Sequence, residues 1–401
     1  MLAAMAVGES RIENFASSAD CNSTLECLQK LGAVVRRNGS GVTITGGVFT
    51  QPAEPLDCGN SGTTMRLMAG ILAGRQVEAT LIGDESLSSR PMKRVIEPLA
   101  AMGAGISSTD GKAPLHITGG MPLTGMTHRL NIASAQIKSA ILLAGLGARG
   151  LTTVIEPVAT RDHTERMLRW FGAEIDTSRP GEISIKGGQK LSARSFTVPG
   201  DISSAAFFLV AAACLDGSAL KIANVGLNPT RSGILDVLER FGVELTISDE
   251  SSECGEPVGD ITVRGVAGNF SGEVSNLLSG GVIANIIDEI PILAILGTTL
   301  SGGIEIRDAA ELRVKESDRI AAIIDGLRRM GAETEEFPDG FRVARSRLRG
   351  AVVESYGDHR IAMALAVAGL IADGETEIRG AECVDVSFPG FFETLNSVVI
   401  S

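Results

Sequence analysis

Aromatic residues make up only 4% of this 401-residue chain, with a single Trp and a single Tyr. Interiors must therefore be packed from small and aliphatic side chains. The six cysteines, Cys21, Cys27, Cys58, Cys214, Cys254 and Cys383, show no C-x-x-C pairing. That spacing argues against a zinc site or a disulfide framework and for a reducing cytoplasm. Basic residues are in deficit: 36 Lys and Arg against 48 Asp and Glu leave a net charge of −12. A nucleic-acid binder needs a basic face for phosphates, so that class is excluded. Small anions held by a few local cations are not. Long apolar runs are lacking as well. Ala205–Leu215 and Ile290–Leu296 are too short to span a bilayer, and Met1–Val7 has no basic segment before it, as a secretory signal would.

Glycine is abundant, at 48 residues, and its placement is the most informative feature. Five amphipathic helical patterns end alike: LECLQKLGA, VIEPLAAMGA, TERMLRWFGA, ILDVLERFGV and IIDGLRRMGA. Their glycines, Gly32, Gly103, Gly172, Gly242 and Gly331, recur at about 70 residues with one longer step of about 90. Each reads as a helix stop in the left-handed conformation. A second series of helices, apolar on all sides, starts in polar loops: GNSGTTMRLMAGIL, SAQIKSAILLAGL, GDISSAAFFLVAAACL, DEIPILAILGTTL and GDHRIAMALAVAGL. A strand-like run follows each of these, and two short strands follow each amphipathic helix. The unit is helix–strand–helix–strand–strand, present in six copies.

The expected fold is α/β: two domains of three units each, residues 1–199 and 200–401, crossing over near Pro199-Gly200-Asp201. The all-apolar helices belong inside and the amphipathic ones outside. Both chain ends look incomplete against the repeat. Met1–Gly8 matches only the tail of an apolar helix, and the sixth unit stops after its second helix, leaving out its closing strands. The repeat length predicts that roughly 25–30 residues are lost from the N-terminus.

If the apolar helices aim their starts at one place, their loops form an anion site, because unsatisfied N–H groups and the helix dipole favour negative charge. Arg66, Arg90, Lys138, Arg161, Lys315, Arg319 and Arg360 accompany these loops. Lys315 and Arg319 share a face if the segment is helical, with Glu316 beside Arg319. Glu316 can exchange protons if burial raises its pKa. Asp288 and Glu289 sit inside an apolar run, which is costly unless they are paired or functional, although Glu289 could face solvent. Among the four histidines, His359 opens an apolar helix and is a site candidate, His163 is a second, and His116 and His128 read as structural.

With these residues assembled, the chain resembles the 5-enolpyruvylshikimate-3-phosphate synthase family. The motifs carrying the resemblance run from Met1 to Phe392: GNSGTTMRL, RPMKRVIEPL, ASAQIKSAILLAGL, RDHTERML, VPGDISSAAFFL, VGLNPTRSG, IDEIPILA, RVKESDR, GDHRIAMAL and SFPGFF. The resemblance implies two inside-out domains of three units that close on substrate. It implies transfer of the enolpyruvyl group of phosphoenolpyruvate to the 5-hydroxyl of shikimate 3-phosphate, by a soluble monomer, with no metal or organic cofactor. Carried over by motif, Gly62, Arg90, Gln136, Arg319 and Arg360 contact phosphoenolpyruvate. Ser134, Gln136, Arg161, Asp288 and Lys315 hold shikimate 3-phosphate. Asp288 is the expected general base and Glu316 the proton donor, with His359 and Lys315 nearby.

Two departures stand out. The family's opening loop, Asp-Lys-Ser-x-Ser-x-x-x-Arg, is absent, and so is a lysine before the C-terminal Phe-Pro, where Asp385-Val386-Ser387-Phe388-Pro389 stands. These predict a chain with little or no activity alone, or a non-catalytic fragment that needs a partner segment. The related transferase acting on UDP-N-acetylglucosamine carries a reactive Cys near the position of Arg90, and Gly83–Arg94 contains none.

Overall fold

The computed structural model describes residues 1–265 and 276–399. Residues 266–275 and 400–401 of the expected second domain lie outside the described residues. The chain divides into two compact units, one of residues 1–198 with 253–255 and one of 199–252 with 256–401.

All five amphipathic helices end in the same hydrogen-bonded motif. Gly32, Gly103, Gly172, Gly242 and Gly331 have φ between +83° and +105°, where only glycine sits without strain. At each, the glycine N–H donates to the carbonyl three residues back, and the following N–H donates to a leucine carbonyl five back. Gly32 bonds Gln29 and Ala33 bonds Leu28; Gly331 bonds Arg328 and Ala332 bonds Leu327. This pairing satisfies the last free carbonyls of a helix. It explains why the sequence repeats a Leu, three intervening residues and a Gly followed by Ala or Val.

The apolar helices occupy the two interiors. Gly62–Ala73 and Ala135–Gly145 lie in the first unit, and Ile202–Cys214, Ile290–Gly297 and His359–Ile371 in the second. In Ile202–Cys214 every residue except Ser204 and Cys214 is buried. No helix among the described residues is long and apolar enough to cross a membrane.

Around these helices each unit hangs small sheets, three of them four-stranded in the first unit. One of these three holds Leu56–Asp57, Ala79–Ile82, Lys112–Thr118 and Gly105–Thr109 in spatial order. The first pair runs parallel, joined through helix Gly62–Ala73, and the others are antiparallel. Short strands such as Leu56–Asp57, Thr127–Arg129 and Phe196–Thr197 precede an apolar helix or close a sheet. They are absent from the helix–strand–helix–strand–strand pattern because two or three residues show no alternation. Among the described residues the last sheet holds only Val352–Glu354 and Glu377–Arg379, paired in parallel.

A second set of glycines lets strands press on helix ends. A Cβ added at Gly46 would lie 2.3 Å from the Ala4 carbonyl oxygen, at Gly187 1.8 Å from that of Ala148, and at Gly265 1.9 Å from that of Leu215. Within the first unit the two apolar helices also meet at a glycine. A Cβ on Gly70 would lie 2.2 Å from the Ala140 carbonyl oxygen. In an open helix Gly→Ala gains about 1 kcal/mol. Here the clash is with backbone, so Gly70→Ala should instead destabilise by about 1–3 kcal/mol in chemical denaturation. A stabilised Gly70→Ala variant would contradict this packing.

Candidate active site

In the first unit two helix starts are tied together by side chains. Ser61 caps helix Gly62–Ala73 through the Thr64 N–H, and Ser134 caps Ala135–Gly145 through Ile137. Arg66 donates to Gln136 Oε1 at 2.6 Å, and Gln136 Nε2 donates to Thr63 Oγ1 at 2.8 Å. Arg90 donates to Asn60 Oδ1 at 2.7 Å and to Ser86 Oγ at 3.1 Å. A Cβ on Gly62 would lie 2.8 Å from Arg66 Nη1 and 3.5 Å from Arg90 Nη1. Gly62, Arg90, Ser134 and Gln136 therefore share one corner, with two helix N-termini and two guanidiniums aimed at it. Arg161 is half-buried in the segment before helix His163–Trp170.

Two sequence candidates belong elsewhere. Lys138 is 1% exposed and bound between Glu156 at 3.1 Å and Glu165 at 2.7 Å. It is a structural cation, placed a full turn inside its helix and facing the interior. Burial raises the Glu165 pKa against the pull of Lys138. His163 lines an apolar cavity with Met1, Leu2, Leu67, Phe171 and Phe196. His128 is buried, and His116 bonds Thr80 across a strand pair.

The second unit gathers the acid–base residues around one buried guanidinium. Arg319 is 2% exposed. Its Nε donates to Asp358 Oδ2 at 2.8 Å, its Nη2 to Glu316 Oε2 at 2.5 Å and its Nη1 to Asp288 Oδ1 at 3.3 Å. Lys315 Nζ lies 3.8 Å and Arg360 Nε 4.0 Å from the same Asp288 oxygen, and Arg360 Nη1 donates to the Asp288 carbonyl. Asp288, Lys315, Glu316, Arg319, His359 and Arg360 thus form one cluster.

The helical spacing expected for Lys315 and Arg319 is not what joins them. A 3-10 turn ends at Val314, Lys315 is extended, and a new helix opens at Arg319 with Asp318 as its cap. The loop brings Glu316 to Arg319 because Asp318 claims the helix start for itself.

Protonation states follow from burial and neighbours. Burial, with Arg360 beside it, lowers the His359 pKa from 6.5 to about 4, so the ring is neutral near pH 7. Burial opposes ionisation of Glu316, but the Arg319 charge outweighs it, and its pKa is lowered. The sequence expectation that burial would raise it fails on that pairing. Asp358 is likewise held low: burial works against its charge and Arg319 wins.

Asp358 and Asp201 escape the sequence reading, which leaves Glu289 between a paired and a solvent-facing place. Asp358 both caps helix His359–Ile371 and anchors Arg319. Asp201 pairs with Arg231 at 2.8 Å. Glu289 is 1% exposed rather than facing solvent, and accepts a hydrogen bond from Ser203 Oγ. Each sits in a motif quoted above, one residue from a charged or glycine position that drew attention first. Among the described residues no group of His, Cys, Asp and Glu could hold a metal ion.

Taken unit by unit, helix-start anion pockets beside guanidiniums in the first, and cations around carboxylates in the second, are groups suited to small phosphorylated acids. The family model for EPSP synthase (3-phosphoshikimate 1-carboxyvinyltransferase) matches residues 1–395. A 3-phosphoshikimate 1-carboxyvinyltransferase of Koribacter versatilis is 51% identical, over 100% of this chain and 93% of its own length. One of Pelotomaculum thermopropionicum is 50% identical with the same coverage. The solved EPSP synthase of Acinetobacter baumannii aligns with TM-score 0.88 at 40% identity, over 100% of this chain and 92% of that one. The chain belongs to the EPSP synthase family. At 93% of the relatives' length, this coverage lends no support to the truncated, inactive chain expected from the repeat count.

Two measurements check this geometry. Lys138→Met leaves two buried carboxylates without their cation and should cost about 3–5 kcal/mol in unfolding free energy; a loss below about 1 kcal/mol would contradict the pairing. The His359 ring should titrate near pH 4 by NMR. Its depressed folded pKa means that stability is intact above pH 6.5 and is lost as pH falls towards 4. His359→Gln should flatten that part of the stability profile, and a ring midpoint near 6.5 would overturn it.

Proposed function

We propose that the chain transfers the enolpyruvyl (carboxyvinyl) group of phosphoenolpyruvate to the 5-hydroxyl of shikimate 3-phosphate and releases phosphate. The step belongs to aromatic amino acid (chorismate) biosynthesis. The observation that carries this reading is the cluster in which Arg319 is held by Asp358 while Asp288, Glu316, Lys315 and Arg360 surround it. It pairs fixed positive charge with two carboxylates able to move protons. The relatives named for this reaction share the chain end to end.

In this reading Gly62, Arg90, Gln136, Arg319 and Arg360 hold the phosphate and carboxylate of phosphoenolpyruvate. Ser134, Gln136, Arg161, Asp288 and Lys315 hold shikimate 3-phosphate. Asp288 takes the proton of the 5-hydroxyl as its oxygen attacks C2. Glu316 delivers a proton to the methylene carbon, which becomes a methyl group in a tetrahedral intermediate. Loss of a methyl proton and of phosphate then restores the double bond. Glu316 is a carboxylate in the free chain, so it must gain its proton on binding. Substrate anions drawn to Arg319 add like charge beside Glu316 and raise its pKa. The neutral His359, which interacts electrostatically with Glu316, can receive or return that proton. We also take the chain to act as a monomer in the cytoplasm, a setting that suits six free cysteines.

Purified protein given both substrates should release phosphate only when shikimate 3-phosphate is present. Glu316→Gln should lower kcat by about 10²–10⁴-fold with little change in KM. No phosphate release from the wild-type chain, or full activity in Glu316→Gln, would contradict the assignment.

A further inference from the structure

Glu289 follows the expected base directly in sequence, yet nothing in the reaction above uses it. It opens the buried helix Ile290–Gly297 and is 1% exposed. Its Oε1 accepts from Ser203 Oγ, and its Oε2 is buried without a hydrogen-bond partner. An isolated carboxylate in such a place is far more costly than a neutral acid. The neutral form leaves only one weak orphan, while the charged form leaves a nearly naked oxygen.

The charges facing it come from every element packed around. Asp201, capping helix Ile202–Cys214, pairs with Arg231 of the Asn228–Ser232 segment. Asp288 lies on its own segment. Lys315, Glu316 and Arg319 reach Asp288 from the loop before helix Arg319–Arg329, and Asp358, His359 and Arg360 open helix His359–Ile371. With His359 neutral, the cations Arg231, Lys315, Arg319 and Arg360 face the acids Asp201, Asp288, Glu316 and Asp358 one for one. An ionised Glu289 would break that match with an extra negative charge, within electrostatic reach of Asp288, Arg231 and Arg360.

Resting on the functional reading above, we propose that Glu289 is a positioning residue for phosphoenolpyruvate binding. Its neutral side chain keeps the cluster at charge balance, and its ionisation at alkaline pH weakens binding of the trianionic substrate. Burial foremost, then the Asp288 charge, raises the Glu289 pKa against the pull of Arg231 and Arg360. The Ser203 hydrogen bond favours the charged form, so removing it should delay the ionisation to higher pH, while removing the Glu289 carboxyl should abolish it. The proton lost on ionisation goes to solvent base, and no other bond changes.

The test is the pH dependence of KM for phosphoenolpyruvate at saturating shikimate 3-phosphate, with an infrared titration of the same proteins. In the wild type KM should climb by about tenfold per pH unit above the Glu289 midpoint. Glu289→Gln, which mimics the neutral acid and keeps an acceptor for Ser203, should reduce that climb at least about fivefold. Ser203→Ala should move it to higher pH. The wild-type minus Glu289→Gln infrared difference at neutral pH should contain the carbonyl stretch of a protonated carboxylic acid. An unchanged climb in Glu289→Gln, or no acid band, overturns the proposal while turnover persists. Turnover absent with both substrates overturns the functional reading, and this one with it; the infrared band needs no turnover, so the two failures are told apart.

Discussion

The ion pair between Arg319 and Asp358 holds the second unit's site together. Both side chains are essentially inaccessible to water, so each would be prohibitively costly without the other. A cation at the first position of a helix also opposes the helix dipole. Asp358 offsets this from the start of a different helix, where it serves as the cap, and Glu316 and Asp288 each accept from one of the two terminal nitrogens. Three polypeptide segments, around Asp288, Lys315–Arg319 and Gly357–Arg360, are locked to one guanidinium. Pairs of this kind add little net stability but fix one arrangement, and removing a single partner is severely destabilising.

That lock explains why the protonation pattern is what it is. Arg319 keeps Glu316 and Asp358 ionised despite their burial, while burial keeps His359 neutral and raises the Glu289 pKa. Substrate anions arriving at the cations would redistribute exactly one kind of quantity, positive charge available to the carboxylates. Glu316 can therefore change from carboxylate to acid without moving, which suits the proton-donor role proposed for it.

Much of this architecture was legible in the sequence because it is repeated. A glycine four residues after a helix leucine, five times over, is a local signal with one physical solution, and all five occur. The apolar helices were legible because nothing but burial explains a run such as Ala205–Leu215. The short parallel strands were not, since two residues carry no period. Of the candidate residues, Arg90, Gln136, Arg319 and Arg360 stand in or beside polar helix-opening segments that signalled anions. Lys138 misled because its loop resembled the others while its side chain turns inward to Glu156 and Glu165. Glu289 and Asp358 could not be assigned because burial of a single acid beside another depends on which way the chain turns.

The most direct measurement is calorimetric: titration of phosphoenolpyruvate into the complex with shikimate 3-phosphate, for the wild type and for Asp358→Asn. Asp358→Asn should melt below the wild type, and the titrations are compared at a temperature where both proteins are folded. Asparagine retains the shape and the helix cap but removes the charge that fixes Arg319. If Arg319, held by Asp358, is the anion-binding centre, affinity should fall by roughly tenfold or more. Unaltered affinity in a folded Asp358→Asn protein would show that the substrate does not depend on this pair.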